Sequence, residues 1–182
     1  MTTPRAVAVF GSSQTDFDST EWDEAVSVGA RLASAGLVVV TGGYGGTMEA
    51  VSLGAAGAGG RVVGVTAPTL FPDRVGANPH IHELIEATSL AHRIDVMMER
   101  ADATLSLPGS IGTATELLMA WNINHIKRRS GQRPLPCAAV GGQWKKVADA
   151  LVLLIGAEID SVYWAKDVND GVNWVVDQLE VL

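Results

Sequence analysis

The chain has 182 residues, 47% of them hydrophobic and 18% charged, with a net charge of −7. That length fits a single domain over 1–182 with a sizeable core, and no apolar run approaches the roughly 18 residues of a membrane-spanning helix. The negative charge argues against a nucleic-acid face, which needs clustered cations, and the lone Cys137 leaves no internal disulfide, as expected in a reducing cytoplasm.

The opening "MTTPRAVAVFGSSQ" lacks a basic start followed by a long apolar stretch, so it reads as a first strand (5–10), not a signal peptide. "STEWDEAVSVGARLASAG" has apolar residues at helical spacing, with Ser19 or Thr20 as cap and Gly36 as stop. "LVVVT" (37–41) predicts a second buried strand, "TMEAVSLGAAGAGG" a closely packing small-residue helix, and "RVVGVT" (61–66) a third strand. A Pro-containing loop covers 67–80, and a short strand is expected within "IHELIEAT". "SLAHRIDVMMERA" (89–101) predicts a helix, "ATLSL" (103–107) a strand and "TATELLMAWNINHIKRR" a helix. A strand at "LPCAAV" (135–140), then "QWKKVADALVLLIG", then a helix near 170–181 complete the pattern. The basic run Lys127–Arg133 follows an apolar helix, where cations meet the negative helix end; an anionic ligand or partner is the alternative.

Strands alternating with helices imply an α/β fold with a mostly parallel sheet covered on both faces. Ligands of such folds sit beyond the carboxyl ends of the strands. Three stretches fall there: Gly11–Ser13, Gly42–Gly46 and Pro108–Thr113. A glycine loop that opens a helix leaves backbone N–H groups free and adds positive potential, so it favours an anion such as phosphate. The candidate phosphate ligands are Gly11 and Ser12; Gly42, Gly43, Gly45, Gly46 and Thr47; and Pro108, Gly109, Ser110, Ile111, Gly112 and Thr113. Neither a G-x-G-x-x-G after the first strand nor a Gly-Lys-Ser/Thr loop is present, which argues against dinucleotide and triphosphatase sites. His80 and His82 lack companion ligands, so no metal is expected, and no cofactor is indicated.

"PGSIGTATE" resembles the PGGxGTxxE signature of the LOG ("Lonely Guy") proteins, once labelled possible lysine decarboxylases. "VAVFGSS" is similar to that family's opening strand and loop, and "GGYGGTMEAV" to its second loop; the resemblance covers about residues 5–140. It implies a Rossmann-like three-layer α/β/α fold, a homodimer, and cleavage of the N-glycosidic bond of nucleoside 5′-monophosphates to free base and ribose 5-phosphate. The family's catalytic pair falls on Arg93 and Glu116. A carboxylate there would steady the ribose as C1′ gains oxocarbenium character, and a guanidinium would clamp substrate oxygens and hold the carboxylate.

The chain departs from the pattern at Ser110, where the family has glycine, and at Ile94, where lysine follows the arginine. Leu90 and Ala91 replace a Met-His pair, and Thr47 and Glu49 stand in the second loop. These changes resemble a divergent branch that includes molybdenum-cofactor carriers and nucleotide-sensing domains. Two functions follow: a phosphoribohydrolase, or a non-catalytic binder of a nucleotide or pterin-phosphate.

Overall fold

The computed structural model describes residues 4–74 and 76–180. The opening residues Met1–Thr3 and position 181 of the expected last helix lie outside the described residues. The elements run β1 (Ala6–Phe10), α1 (Thr20–Ser34), β2 (Val38–Thr41), α2 (Thr47–Gly57), β3 (Val62–Thr66), β4 (Glu83–Glu86), α3 (Leu90–Glu99), β5 (Ala103–Ser106), α4 (Ile111–Arg129), β6 (Cys137–Val140), α5 (Gly142–Ile155), β7 (Tyr163–Ala165) and α6 (Val168–Glu180).

All described strand pairs are parallel, in the order β4-β3-β2-β1-β5-β6-β7. The pleat of β1 explains the two-sided core. Val7 and Val9 face α1, α2 and α6, while Ala6, Ala8 and Phe10 pack on the other side with Ile94 and Met97 of α3. Leu117 and Trp121 of α4 and Trp144 of α5 extend that second layer over β6. The result is the expected three-layer α/β/α arrangement.

Ser19 is the cap of α1, its hydroxyl accepting from the Trp22 N–H at 3.1 Å, and Gly36 follows the helix end with φ of +76°. The helix expected to open at Thr113 begins two residues earlier, at Ile111. The edge strand β7 has no counterpart in the sequence reading: three residues with one inward side chain carry no periodic signal.

Two glycines bring α1 and α2 together. A Cβ on Gly29 would overlap the Val51 carbonyl oxygen, and one on Gly54 the Val26 carbonyl oxygen, so the helices meet backbone to backbone. After β1 the chain builds outward through β2, β3 and β4, then returns to place β5 on the other side of β1. That reversal opens a crevice between the carboxyl ends of β1 and β5. Among the described residues no helix is long and apolar enough to cross a membrane.

Candidate functional site

The two lips of the crevice are Gly11–Ser13 after β1 and Pro108–Ser110 after β5. On one side lies a cleft of about 390 Å³ lined by Gly11, Ser13, Gly42, Arg93, Ser110, Ile111, Gly112, Thr113 and Glu116. On the other side lies a second cavity of about 380 Å³, with Ser12, Thr47, Pro108 and Gly109 in its wall and Ser110 shared with the first.

Helix α4 starts at the cleft. Ser110 is its N-cap residue but makes no side-chain cap bond, and the first helical bond is from the Ala114 N–H to the Ser110 carbonyl at 2.9 Å. The N–H groups of Ile111, Gly112 and Thr113 therefore have no acceptor within the helix. The Thr113 hydroxyl is buried and, among the described residues, has no hydrogen-bond partner, an uncommon state for a group of this kind. A Cβ on Gly112 would meet nothing within 4 Å, whereas one on Gly109 would overlap the Thr113 hydroxyl. Gly112 thus keeps the approach to the helix start open, and Gly109 lets the first turn of α4 close.

The second glycine loop works mainly as a strut. Gly42 alone of this loop lines the principal cleft, and a Cβ there would overlap the Arg93 guanidinium. Gly46 has φ of +68° and lies against the Ser12–Ser13 backbone, while the Thr47 N–H donates to the Ser12 carbonyl at 2.8 Å. The Thr47 hydroxyl pairs with that of Thr15 at 2.7 Å. The start of α2 is thereby committed to holding the first loop. Gly43 packs on Thr66, and Gly45 lines a small cavity with Tyr44 and Arg74.

Arg93 and Glu116 come together from helices α3 and α4. The Arg93 Nε donates to the Val65 carbonyl at 2.7 Å, and Nη2 to the Gly42 carbonyl at 3.0 Å. Nη1 lies 3.4 Å from Glu116 Oε1, and both side chains are buried. Arg93 therefore ties the ends of β2 and β3 to the carboxylate. Burial pushes the Glu116 carboxyl up to about 7, against the pull of Arg93; burial likewise draws the Arg93 guanidinium below its ordinary value, opposed by Glu116. Ile94, one residue on, turns into the sheet core at 2% exposure, so α3 offers no second cation here. His92 Nδ1 instead accepts from the Thr88 N–H at 3.2 Å, at the start of α3. His82 Nδ1 accepts from the Val62 N–H at 3.2 Å, and among the described residues no three His, Cys, Asp or Glu side chains gather where a metal could bind.

Three cleft-side residues were not legible as such. Tyr44 is buried, and its hydroxyl accepts from the Ala67 N–H at 2.9 Å. Phe71 and Arg74 line the cleft from the loop between β3 and β4. An aromatic between glycines was the available signal for Tyr44, and nothing in the sequence marked Arg74.

Parallel topology and a crevice at the point of strand reversal place the chain among the Rossmann-like proteins. Within them it belongs to the SLOG cluster4 family, whose sequence profile matches residues 4–126. The chain is 38% identical over 101 residues to the cytokinin riboside 5′-monophosphate phosphoribohydrolase of Mycobacterium marinum, covering 55% of this chain and 54% of that protein. It thus spans about half the length of this curated relative. Two solved structures share the fold along nearly the whole chain. The molybdenum cofactor binding protein of Rippkaea orientalis superposes with a TM-score of 0.76 at 19% identity, over 98% of this chain and 99% of that one. The molybdenum cofactor carrier protein of Chlamydomonas reinhardtii gives 0.74 at 22% identity, over 99% and 100%. The LOG resemblance read from three short motifs and the α/β/α fold expected from it both hold.

Proposed function

We propose that the chain is a nucleoside 5′-monophosphate phosphoribohydrolase. The observation that carries this reading is the buried Arg93–Glu116 pair, held in the same cleft as the uncapped start of α4. The 5′-phosphate binds the free N–H groups of Ile111, Gly112 and Thr113 and the unpartnered Thr113 hydroxyl. Glu116 lies four residues beyond Gly112, one helical turn along, beside the ribose of a nucleotide so anchored. As the C1′–N bond breaks, its electron pair leaves with the base and positive charge builds on the ribose. Ionised Glu116 stabilises that charge and orients the water that bonds to C1′; the proton this water gives up balances the one the departing base takes up to leave as the neutral free base. Arg93, with carbonyls on two of its nitrogens, acts chiefly by fixing Glu116. The relative's name supports the same chemistry. Incubation with AMP and other monophosphates, followed by chromatography for free base, tests the proposal; binding without base release would refute it.

A second reading, a carrier of a nucleotide or pterin-phosphate, uses the same cradle. The second cavity, adjoining the first at Ser110, favours it by giving room for a ligand larger than a mononucleotide. Titration of a base-release-negative chain with molybdopterin-type ligands tests that alternative.

The working assembly we propose is a homodimer. Leu118, Met119 and Ile126 are exposed along α4, an apolar face that the monomer leaves uncovered.

A further inference from the structure

Two guanidinium groups face the principal cleft, and their circumstances differ. Arg93 has two close carbonyl acceptors and the Glu116 carboxylate. Among the described residues the Arg74 guanidinium has one long bond, from Nη2 to the Ser13 hydroxyl at 3.3 Å. Among the described residues no carboxylate lies within ion-pairing distance of Arg74. Its carbon Cζ sits 4.3 Å from the Phe71 ring centre and 4.8 Å from that of Tyr44. Aromatic packing of this kind holds the flat face of a guanidinium and leaves its edge donors for a ligand.

The segment that carries Arg74 is anchored on both sides. The Ala67 N–H donates to the Tyr44 hydroxyl at 2.9 Å, and the Asn78 N–H donates to the Gly43 carbonyl at 2.8 Å. Asn78 Nδ2 adds a bond to the Tyr44 carbonyl at 3.1 Å. Arg74 is thus presented across the cleft from a fixed base, next to Ser13 on one lip and opposite the start of α4. Two cations against the one carboxylate of Glu116 leave this wall in excess positive charge, and Arg74 and Arg93 repel each other. An anion between them relieves that repulsion.

We propose that Arg74 is the ligand-facing cation of the site and clamps the nucleotide phosphate opposite the amides of α4, while Arg93 is spent on positioning Glu116. This rests on the phosphoribohydrolase reading of the cleft. A planar fork with five donors suits two phosphate oxygens at once, which a lysine in the same place would not match.

Isothermal titration of the full chain with AMP and with ribose 5-phosphate tests the clamp, because the two ligands share the phosphate and differ in the base. Arg74→Ala should weaken both by the same factor, about 10- to 100-fold. Arg74→Lys, which keeps charge and stem, should fall between, and the salt dependence of AMP binding should flatten in Arg74→Ala. Unchanged affinity in Arg74→Ala would overturn the clamp, and so would loss of AMP binding with ribose 5-phosphate binding intact. Wild-type chain that binds neither ligand would remove the nucleotide reading and the clamp with it, whereas tight wild-type binding with an indifferent Arg74→Ala would remove the clamp alone.

Discussion

Replacing Gly42 by alanine isolates the seat of Arg93. Gly42 is not among the residues with positive φ, so alanine suits its backbone and the whole effect comes from the added methyl group. That methyl would overlap Nη2, which donates to the Gly42 carbonyl at 3.0 Å. The guanidinium must shift, and a hydrogen bond from a charged group is worth about 1.5–3 kcal/mol. Movement of Nε away from the Val65 carbonyl, now 2.7 Å distant, would add to the loss. Disrupting a buried ionic contact of this kind costs about 3 kcal/mol, and a chain of this length then melts roughly 6–12 °C lower. Urea unfolding of four proteins measures it: wild type, Gly42→Ala, Arg93→Ala and the double variant. With the guanidinium gone, the methyl still overlaps Met48 Sδ at 2.6 Å, but that sulfur is the far end of a flexible side chain that can move into the vacated space, so Gly42→Ala should cost less than about 0.5 kcal/mol in the Arg93→Ala background. Equal costs in both backgrounds would refute the idea that Gly42 exists for Arg93.

Glu116→Gln should retain AMP binding but lower turnover by on the order of 100-fold, equal to about 2.7 kcal/mol of transition-state stabilisation, as read by chromatography of released base. Because burial raises the Glu116 carboxyl to about 7 and the ionised form does the work, wild-type turnover should rise through that pH and level off above it. The same shift has a stability sign. The folded state holds this proton more tightly than the unfolded chain, so the stabilisation is full below the ordinary carboxyl range and is lost as pH rises through about 7. Thermal melts at pH 5 and pH 8 should therefore show wild type losing ground to Glu116→Gln as pH rises. The Cβ of Gly112→Val meets nothing within 4 Å outside its own helix, so its melting temperature should change little while calorimetry shows AMP affinity at least about 10-fold weaker, the size of one charged hydrogen bond. Light scattering at micromolar concentration should give twice the 19.0 kDa chain mass, and Ile126→Glu should return it to one.

The fold was legible because five strands and six helices carry a signal long enough to read, either an apolar run or an apolar face, while Glu83–Glu86 offers only a Leu-Ile pair between two glutamates. The seventh strand, Tyr163–Ala165, has neither, and pairs with β6 only because the edge there is open. The site was legible in its loops: glycines after β1, β2 and β5 mark where the backbone turns at the sheet's carboxyl edge. Their division of labour was not. Gly42 accommodates a guanidinium, Gly46 a neighbouring loop, and Gly112 open space, and only the packed structure separates these reasons. Arg93 and Glu116 stand 23 residues apart, a separation that no local periodicity connects; the family resemblance named both before the fold joined them. Arg74 belongs to an irregular segment whose path depends on Tyr44 and Asn78, so its position over the cleft follows from tertiary contacts alone.

The backbone contact between α1 and α2 at Gly29 and Gly54 decides which side of the crevice can yield. Helices separated by side chains can slide as rotamers change, but helices touching through carbonyl oxygens have no such slack. The loops that lead into them, Gly11–Ser13 and Gly42–Gly46, are therefore fixed to one stiff block, further pinned where the Thr47 N–H meets the Ser12 carbonyl. A ligand entering the principal cleft meets that block as an anvil. Any widening to admit it has to come from the opposite side, where Leu90 and Ile111 face Phe71 and Arg74 across the mouth, since Tyr44 and Asn78 tie the segment that carries Phe71 and Arg74 to the same block.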